Sequence, residues 1–164
     1  MGWAMAAKQS FKSPPRGIRN HNPGNIDRVP GVRWQGQASN QSSDSRFVVF
    51  TSARWGIRAI ARVLIAYQDK RRAKDGSRID SVQEIIDRWA PPHENNTRAY
   101  AKEVAKALGK AVVDESVDVY DYHTMHALVV AIIRHENGTQ PYSNDEIESG
   151  LALAGITRYM GGAA

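Results

Sequence analysis

Apolar residues along the chain change from scattered to periodic near residue 51, which separates a polar N-terminal third from a helical remainder. Ile57, Ile60, Ala61, Leu64 and Ile65 recur at the spacing of one helix face. Thr51 or Ser52 can cap that helix, which ends near Lys70. A second helix is expected from Ser81, where Ser81-Val82-Gln83-Glu84 has the form of a capping box. It would bury Val82, Ile85, Ile86 and Trp89 and must stop before Pro91-Pro92. Thr97 is the expected cap of a third, with Tyr100, Ala101, Val104 and Leu108 inward and Gly109 closing it. A fourth runs from about Tyr122 to His135. Ser143-Asn144-Asp145-Glu146 is another capping box, opening a short helix through Leu151 and Leu153 to Gly155.

Residues 17 to 46 show no such period. They are crowded with Gly, Asn, Ser and Pro, as in Asn22-Pro23-Gly24-Asn25 and Pro30-Gly31, so turns and short extended pieces are expected. Arg46-Phe47-Val48-Val49-Phe50 is the strand candidate, and Val32-Arg33-Trp34 is its candidate partner. Pro14-Pro15 forbids a helix through that point, and residues 1 to 15 are read as a flexible N-terminal segment. Residues 16 to 164 then form a single domain, since a chain of 164 residues can bury one core and is short for two. The expected class is mainly α (α+β), with a small β element near the N-terminus.

Composition removes several chemistries. The chain contains no Cys, which excludes a disulfide framework, a thiol nucleophile and thiolate zinc sites together. The five His show no His-Glu-x-x-His or comparable spacing, so no metal or other cofactor is expected. A net charge of +5 would draw an anionic partner, whether a wall polymer, a nucleic acid or a membrane surface. The densest basic patch, Lys70-Arg71-Arg72 with Lys74, falls at a helix end, where cations also suit the helix dipole. No compact recognition helix accompanies it, so no nucleic-acid partner is expected. No segment approaches the roughly 18 apolar residues of a membrane span, and the first eight residues lack the pattern of a secretion signal. Synthesis in the cytoplasm is the expectation.

The candidate chemistry starts at Leu128-Val129-Val130-Ala131-Ile132-Ile133-Arg134-His135-Glu136-Asn137-Gly138, where an apolar helix runs into a Glu and ends at Asn-Gly. A carboxyl there is anchored by a rigid element yet opens to solvent, as a general acid requires. Glu94 is its competitor. It precedes a helix, whose positive end holds a carboxylate ionised, whereas the negative end beside Glu136 favours the acid. Asp44, in Ser42-Ser43-Asp44-Ser45 before the strand candidate, is the other candidate second carboxylate for glycosidic chemistry. Gly17-Ile18-Arg19-Asn20-His21-Asn22-Pro23-Gly24-Asn25-Ile26 packs three Asn and two Gly into ten positions. Such a loop either lines a sugar groove, with Asn20, Asn22 and Asn25 as contacts, or satisfies its own backbone. Trp34, Trp55, Trp89, Tyr67 and Tyr100 can act as sugar platforms. Trp89 and Tyr100 fall at inward helix positions, which leaves Trp34 the better ligand surface. Asn95, Asn137 and Tyr142, flanking the two glutamates, complete the candidate substrate-binding set.

The ten-residue loop motif, Trp34, the Phe47 to Phe50 segment, Trp89-Ala90-Pro91 with Glu94-Asn95-Asn96-Thr97, and His135-Glu136-Asn137-Gly138 together resemble a family of bacteriophage and prophage proteins. Its members are virion proteins or peptidoglycan-degrading enzymes related to the lysozyme and lytic transglycosylase superfamily. The resemblance spans residues 16 to 156. It implies a lysozyme-like helical domain with Glu136 as catalytic acid. The order of elements departs from that superfamily, which places its glutamate helix first and the groove loops afterwards. A permuted arrangement would account for the difference. The Gly-Leu-Met-Gln segment of many lytic transglycosylases is also absent. The implied function is cleavage of the β-1,4 bond between N-acetylmuramic acid and N-acetylglucosamine. The enzyme would be a muramidase or a lytic transglycosylase, acting in the periplasm as an endolysin or virion-associated enzyme. The implied partner is bacterial peptidoglycan, with other virion proteins as further partners and a monomer as the working state. The alternative is a non-enzymatic phage virion structural protein.

Overall fold

The computed structural model describes residues 13–90, 96–110 and 113–158. Most of the flexible-segment expectation, over residues 1 to 15, therefore lies outside the described residues, as do Glu94 and Asn95. The described chain is mainly α-helical. A single-turn α1 (Arg16–Arg19) precedes α2 (Ala53–Lys70), α3 (Val82–Trp89), α4 (Thr97–Ala107), α5 (Tyr122–Asn137) and α6 (Asn144–Leu153).

Both capping boxes form as the sequence requires. Ser81 accepts from the Glu84 N–H while the Glu84 carboxylate accepts from the Ser81 N–H, and Ser143 and Glu146 repeat the exchange. The third helix starts one residue from expectation: its cap is Asn96, whose side chain accepts from the Ala99 N–H, and Thr97 is already helical. Asp121 caps α5 by accepting from the Thr124 N–H. That helix continues past His135 to Asn137 and closes on Gly138 at φ 71, the left-handed conformation glycine adopts without strain. Glu136 is therefore held within the last turn.

Helices α2 to α6 pack around one apolar core in which Ile60, Leu64, Ile86, Met125, Leu128 and Ile132 are fully buried. Helix α2 runs against α6 so closely that a methyl group at Gly150 would lie 2.5 Å from Ile57 and 3.0 Å from the Arg54 carbonyl. A smaller cluster of Val48, Phe50 and Ala59 roots the polar N-terminal third onto α2.

That third contains no strand among the described residues. Phe47 pairs with Asp27 and Phe50 with Gln37 through isolated antiparallel bridges, and Val32 to Trp34 is not the partner. Side chains take over the backbone groups a ladder would use. The Asp44 carboxylate accepts from the Arg46 and Phe47 N–H groups at 2.8 and 2.7 Å. Gln41 accepts from the Val49 N–H and donates to the Val49 carbonyl, both at 2.8 Å. Local side-chain bonds of this kind compete directly with sheet pairing.

Candidate active site

Glu136 is half-buried and opens into a groove of about 700 Å³. Three separate elements meet there. Trp89, at the end of α3, donates its indole Nε1–H to Glu136 Oε1 at 3.3 Å. Asn25, in the loop after α1, donates Nδ2–H to Glu136 Oε2 at 3.1 Å. The carboxyl is thus gripped on both oxygens and cannot rotate freely, while each oxygen keeps an acceptor position toward the groove.

Loop and helix end are locked together by a second amide. Asn137 Nδ2 donates to the Pro23 carbonyl at 2.8 Å and to the Ile133 carbonyl at 2.9 Å. The turn itself closes through the Asn25 N–H to the Asn22 carbonyl at 2.9 Å, with Asn25 at φ 49. Asn tolerates that left-handed backbone better than most residues. Gly17 fits beneath: a methyl group there would lie 2.5 Å from Asn137 Oδ1 and 2.8 Å from Asn25 Oδ1. Neither oxygen has a conventional hydrogen-bond partner, so both face the glycine Cα, where weak C–H···O contacts are the available compensation.

The walls of the groove supply the other chemistry. Asp27, Arg46 and Phe47 come from the N-terminal third, Val63 and Tyr67 from α2, and Arg88 and Ala90 from α3 and its end. Among the described residues Asp27 is the second carboxylate of the lining, and Arg46 Nε donates to it at 2.7 Å. The Arg88 guanidinium lies over the Tyr67 ring, 5.7 Å from its centroid. Behind Glu136, the Tyr100 ring stacks on His135 with centroids 3.9 Å apart. Burial raises the Tyr100 phenol well above its usual value, and the charge of Glu136 adds to the rise, so it stays neutral. Among the described residues no three His, Asp or Glu side chains are grouped to hold a metal ion.

The structure thus brings Asn25 and Glu136 to one groove, with the aromatic candidates Trp89 and Tyr67 in its lining, and among the described residues it places the other candidates elsewhere. Asp44 is not in the groove lining, and this corrects the expectation that it supplies the second carboxylate. It is buried, accepting from Arg16 Nε at 2.6 Å, another Arg16 nitrogen at 2.7 Å, Asn20 Nδ2 at 2.8 Å and two backbone N–H groups. Arg16 above all, then the backbone donors and Asn20, hold the Asp44 carboxyl far below the usual carboxylate range, against the opposing effect of burial. Its oxygens are taken up as a clamp, and Asn20 is spent on the same clamp. Asn22 is fully buried, donating to the Ile26 and Val48 carbonyls at 3.0 and 2.8 Å and accepting from the Ile26 N–H at 3.0 Å. No face of it is left for a ligand. Trp34 packs on the Val48 and Phe50 cluster away from the groove. Tyr142 is also outside the lining, and burial pushes its hydroxyl up to about 12. Asn137 serves as the anchor described above.

Asp27, Arg46 and Arg88 carry no local sequence signal for a site. Tyr67 and Trp89 were legible only as aromatic candidates, and for Trp89 the inward helix position argued for core.

No family model matches the chain. It is 37% identical over 153 residues to "Protein P5" of Pseudoalteromonas phage PM2, an alignment covering 92% of this chain and 88% of that protein.

Proposed function

The chain belongs to the family of Protein P5 of phage PM2, and we propose that it cleaves the glycan strand of bacterial peptidoglycan between N-acetylmuramic acid and N-acetylglucosamine. One observation carries the reading: a glutamate from the last turn of an apolar helix enters a groove with both carboxyl oxygens fixed by Asn25 and Trp89. Glu136 gives its proton to the glycosidic oxygen as the bond to the anomeric carbon breaks. The indole and carboxamide aim that proton, and the aromatic wall of Trp89, Tyr67 and Phe47 suits a sugar ring. A lysozyme-like arrangement, with its glutamate helix late in the chain, belongs to the same reading.

Among the described residues Asp27 replaces Asp44 as the second carboxylate to consider, beside Glu94, which lies outside them. Arg46 Nε occupies one of the Asp27 oxygens at 2.7 Å, so that oxygen is engaged and not open to a water in the groove. The route favoured is therefore anhydro-forming. The muramoyl 6-hydroxyl closes on the anomeric carbon and loses its proton to Glu136, which has just been deprotonated. The acid is restored and a 1,6-anhydro end remains. Release of Asp27 from Arg46 would instead allow water to attack, as in a muramidase.

The test is digestion of purified peptidoglycan by wild type and Glu136→Gln, with turbidity loss of chloroform-permeabilised Gram-negative cells alongside. Wild type is expected to release muropeptides with anhydromuramic ends, lighter by one water than reducing ends, and Glu136→Gln to release none. Reducing ends would transfer the assignment to a muramidase using Asp27. An absence of products from a folded wild type would leave a virion structural protein as the better reading.

A further inference from the structure

We propose that the basic hairpin following α2 is a second binding subsite, joined to the groove across Arg88, for the carboxylate-bearing peptide stems attached to the glycan strand. The inference rests on the glycan-cleavage reading of the groove. Arg88 lines both the groove and a neighbouring concavity of about 560 Å³, whose other walls are Arg72, Ala73, Lys74, Ile79, Glu84 and Asp87. The Arg88–Tyr67 stack forms the ridge between the two. A short peptide leaving a sugar in the groove has one side chain to cross.

The hairpin is a built element. Arg72 and Arg78 form an antiparallel bridge, closed by the Ala73 N–H to the Ser77 carbonyl at 3.0 Å and the Gly76 N–H to the Ala73 carbonyl at 2.9 Å. Between residues 70 and 78 it carries Lys70, Arg71, Arg72, Lys74 and Arg78 against Asp75 alone. The Asp75 carboxylate accepts from the Ser77 N–H at 2.9 Å within the turn. None of these five cations, nor Arg88, is in an ion pair among the described residues.

Two features favour a peptide over a nucleic acid. Ile79 and Ala73 give the concavity an apolar side, which a phosphodiester chain does not use. Glu84 and Asp87 add negative charge beside the cations, which repels a continuous polyanion but suits a stem carrying both carboxylates and an amine. Part of that charge is already directed inward, since Glu84 accepts from the Ser81 N–H and Asp87 from Gln83 Nε2. The balance remains with the cations.

The experiment uses the full chain and an Arg72→Gln/Lys74→Gln double variant, with circular dichroism melts to verify both folds. Binding and cleavage are measured on intact sacculi and on glycan strands stripped of their stems by an amidase. The double variant is expected to bind intact sacculi at least fivefold more weakly at low salt and to act normally on stripped strands. Equal binding of intact sacculi by both proteins would overturn the subsite, and Glu136→Gln inactivity in the same assay would leave the cleavage reading standing. Equal losses on both substrates would also overturn it, because the hairpin would then be reading the glycan. Salt-dependent binding of duplex DNA that the double variant loses, without a difference on sacculi, would assign the hairpin to nucleic acid. A wild type inactive on both substrates would defeat the cleavage reading and this subsite together.

Discussion

Asn22 and Asn25 lie three residues apart in one turn, and their substitution should separate fold from function. Asn22→Ala removes two donated bonds and one accepted bond from a side chain with no solvent exposure. The Ile26 carbonyl keeps the Val48 N–H at 3.0 Å, but the Ile26 N–H and the Val48 carbonyl lose the amide that served them. At about 1 kcal/mol for each bond, the loss is about 3 kcal/mol. For a domain of this size that lowers Tm by roughly 6–12 °C. It is a large share of the ~5–15 kcal/mol that stabilises most domains, yet small enough to leave the protein folded at room temperature. The assay is a thermal melt followed by circular dichroism, paired with glycan digestion below the transition. Asn22→Ala should melt early and digest normally per folded molecule. Asn25→Gly keeps the left-handed backbone while deleting the amide on Glu136, so it should melt near wild type and digest at least tenfold more slowly. A melt of Asn22→Ala within about 2 °C of wild type would refute the accounting, since three buried bonds at about 1 kcal/mol each cannot vanish unnoticed.

Three further outcomes follow from the same geometry. The Asp44 carboxyl is depressed below its ordinary value of 3.8, so its clamp on the N-terminal third is fully present above that pH and is lost as pH falls below it. Asp44→Asn should lower Tm at pH 7 and flatten the decline of Tm between about pH 4 and pH 2, where the unfolded chain takes up a proton at this carboxylate that the folded clamp still refuses, with melts across that range as the measurement. Gly17→Ala would push a methyl group into Asn137 Oδ1 and Asn25 Oδ1. It is expected to cost about 1–3 kcal/mol by urea denaturation and to reduce digestion as well, because both amides position the glutamate or its loop. Tyr100→Phe removes a buried hydroxyl that has no hydrogen-bond partner, so its Tm should equal or exceed that of wild type.

The helices were legible because their signals are local. A capping box spans four residues, an apolar face repeats within two turns, and an Asn-Gly after such a face marks its end. The polar third was harder for an equally physical reason. The Phe47 to Phe50 segment has strand composition, but Asp44 and Gln41 intercept its N–H and C=O groups, and no propensity argument counts those bonds. Asp44 looked free because Arg16, the partner that occupies it, lies 28 residues earlier. The three asparagines of the loop were equivalent as residue types. What distinguishes them is that Asn20 meets Asp44, Asn22 points into the turn, and Asn25 at φ 49 points outward to a helix 111 residues later.

That last contact explains why a site can be partly legible and still be misassembled on paper. A helix end is rigid and announces itself in sequence, so Glu136 could be nominated from eleven consecutive residues. Everything opposite it arrives by tertiary packing: Trp89 from the end of α3, Asp27 and Arg46 from a loop region held by side-chain bonds, and Arg88 from the exposed face of a short helix. Exposed polar residues carry no burial pattern, and their neighbours depend on how α2 and α3 meet the loop after α1. The same division governs what mutations should do. Residues that hold the loop in shape (Asn22, Asp44, Gly17) act on stability and can affect chemistry only through it. Asn25 and Trp89 hydrogen-bond the glutamate directly, so their loss should fall on the reaction.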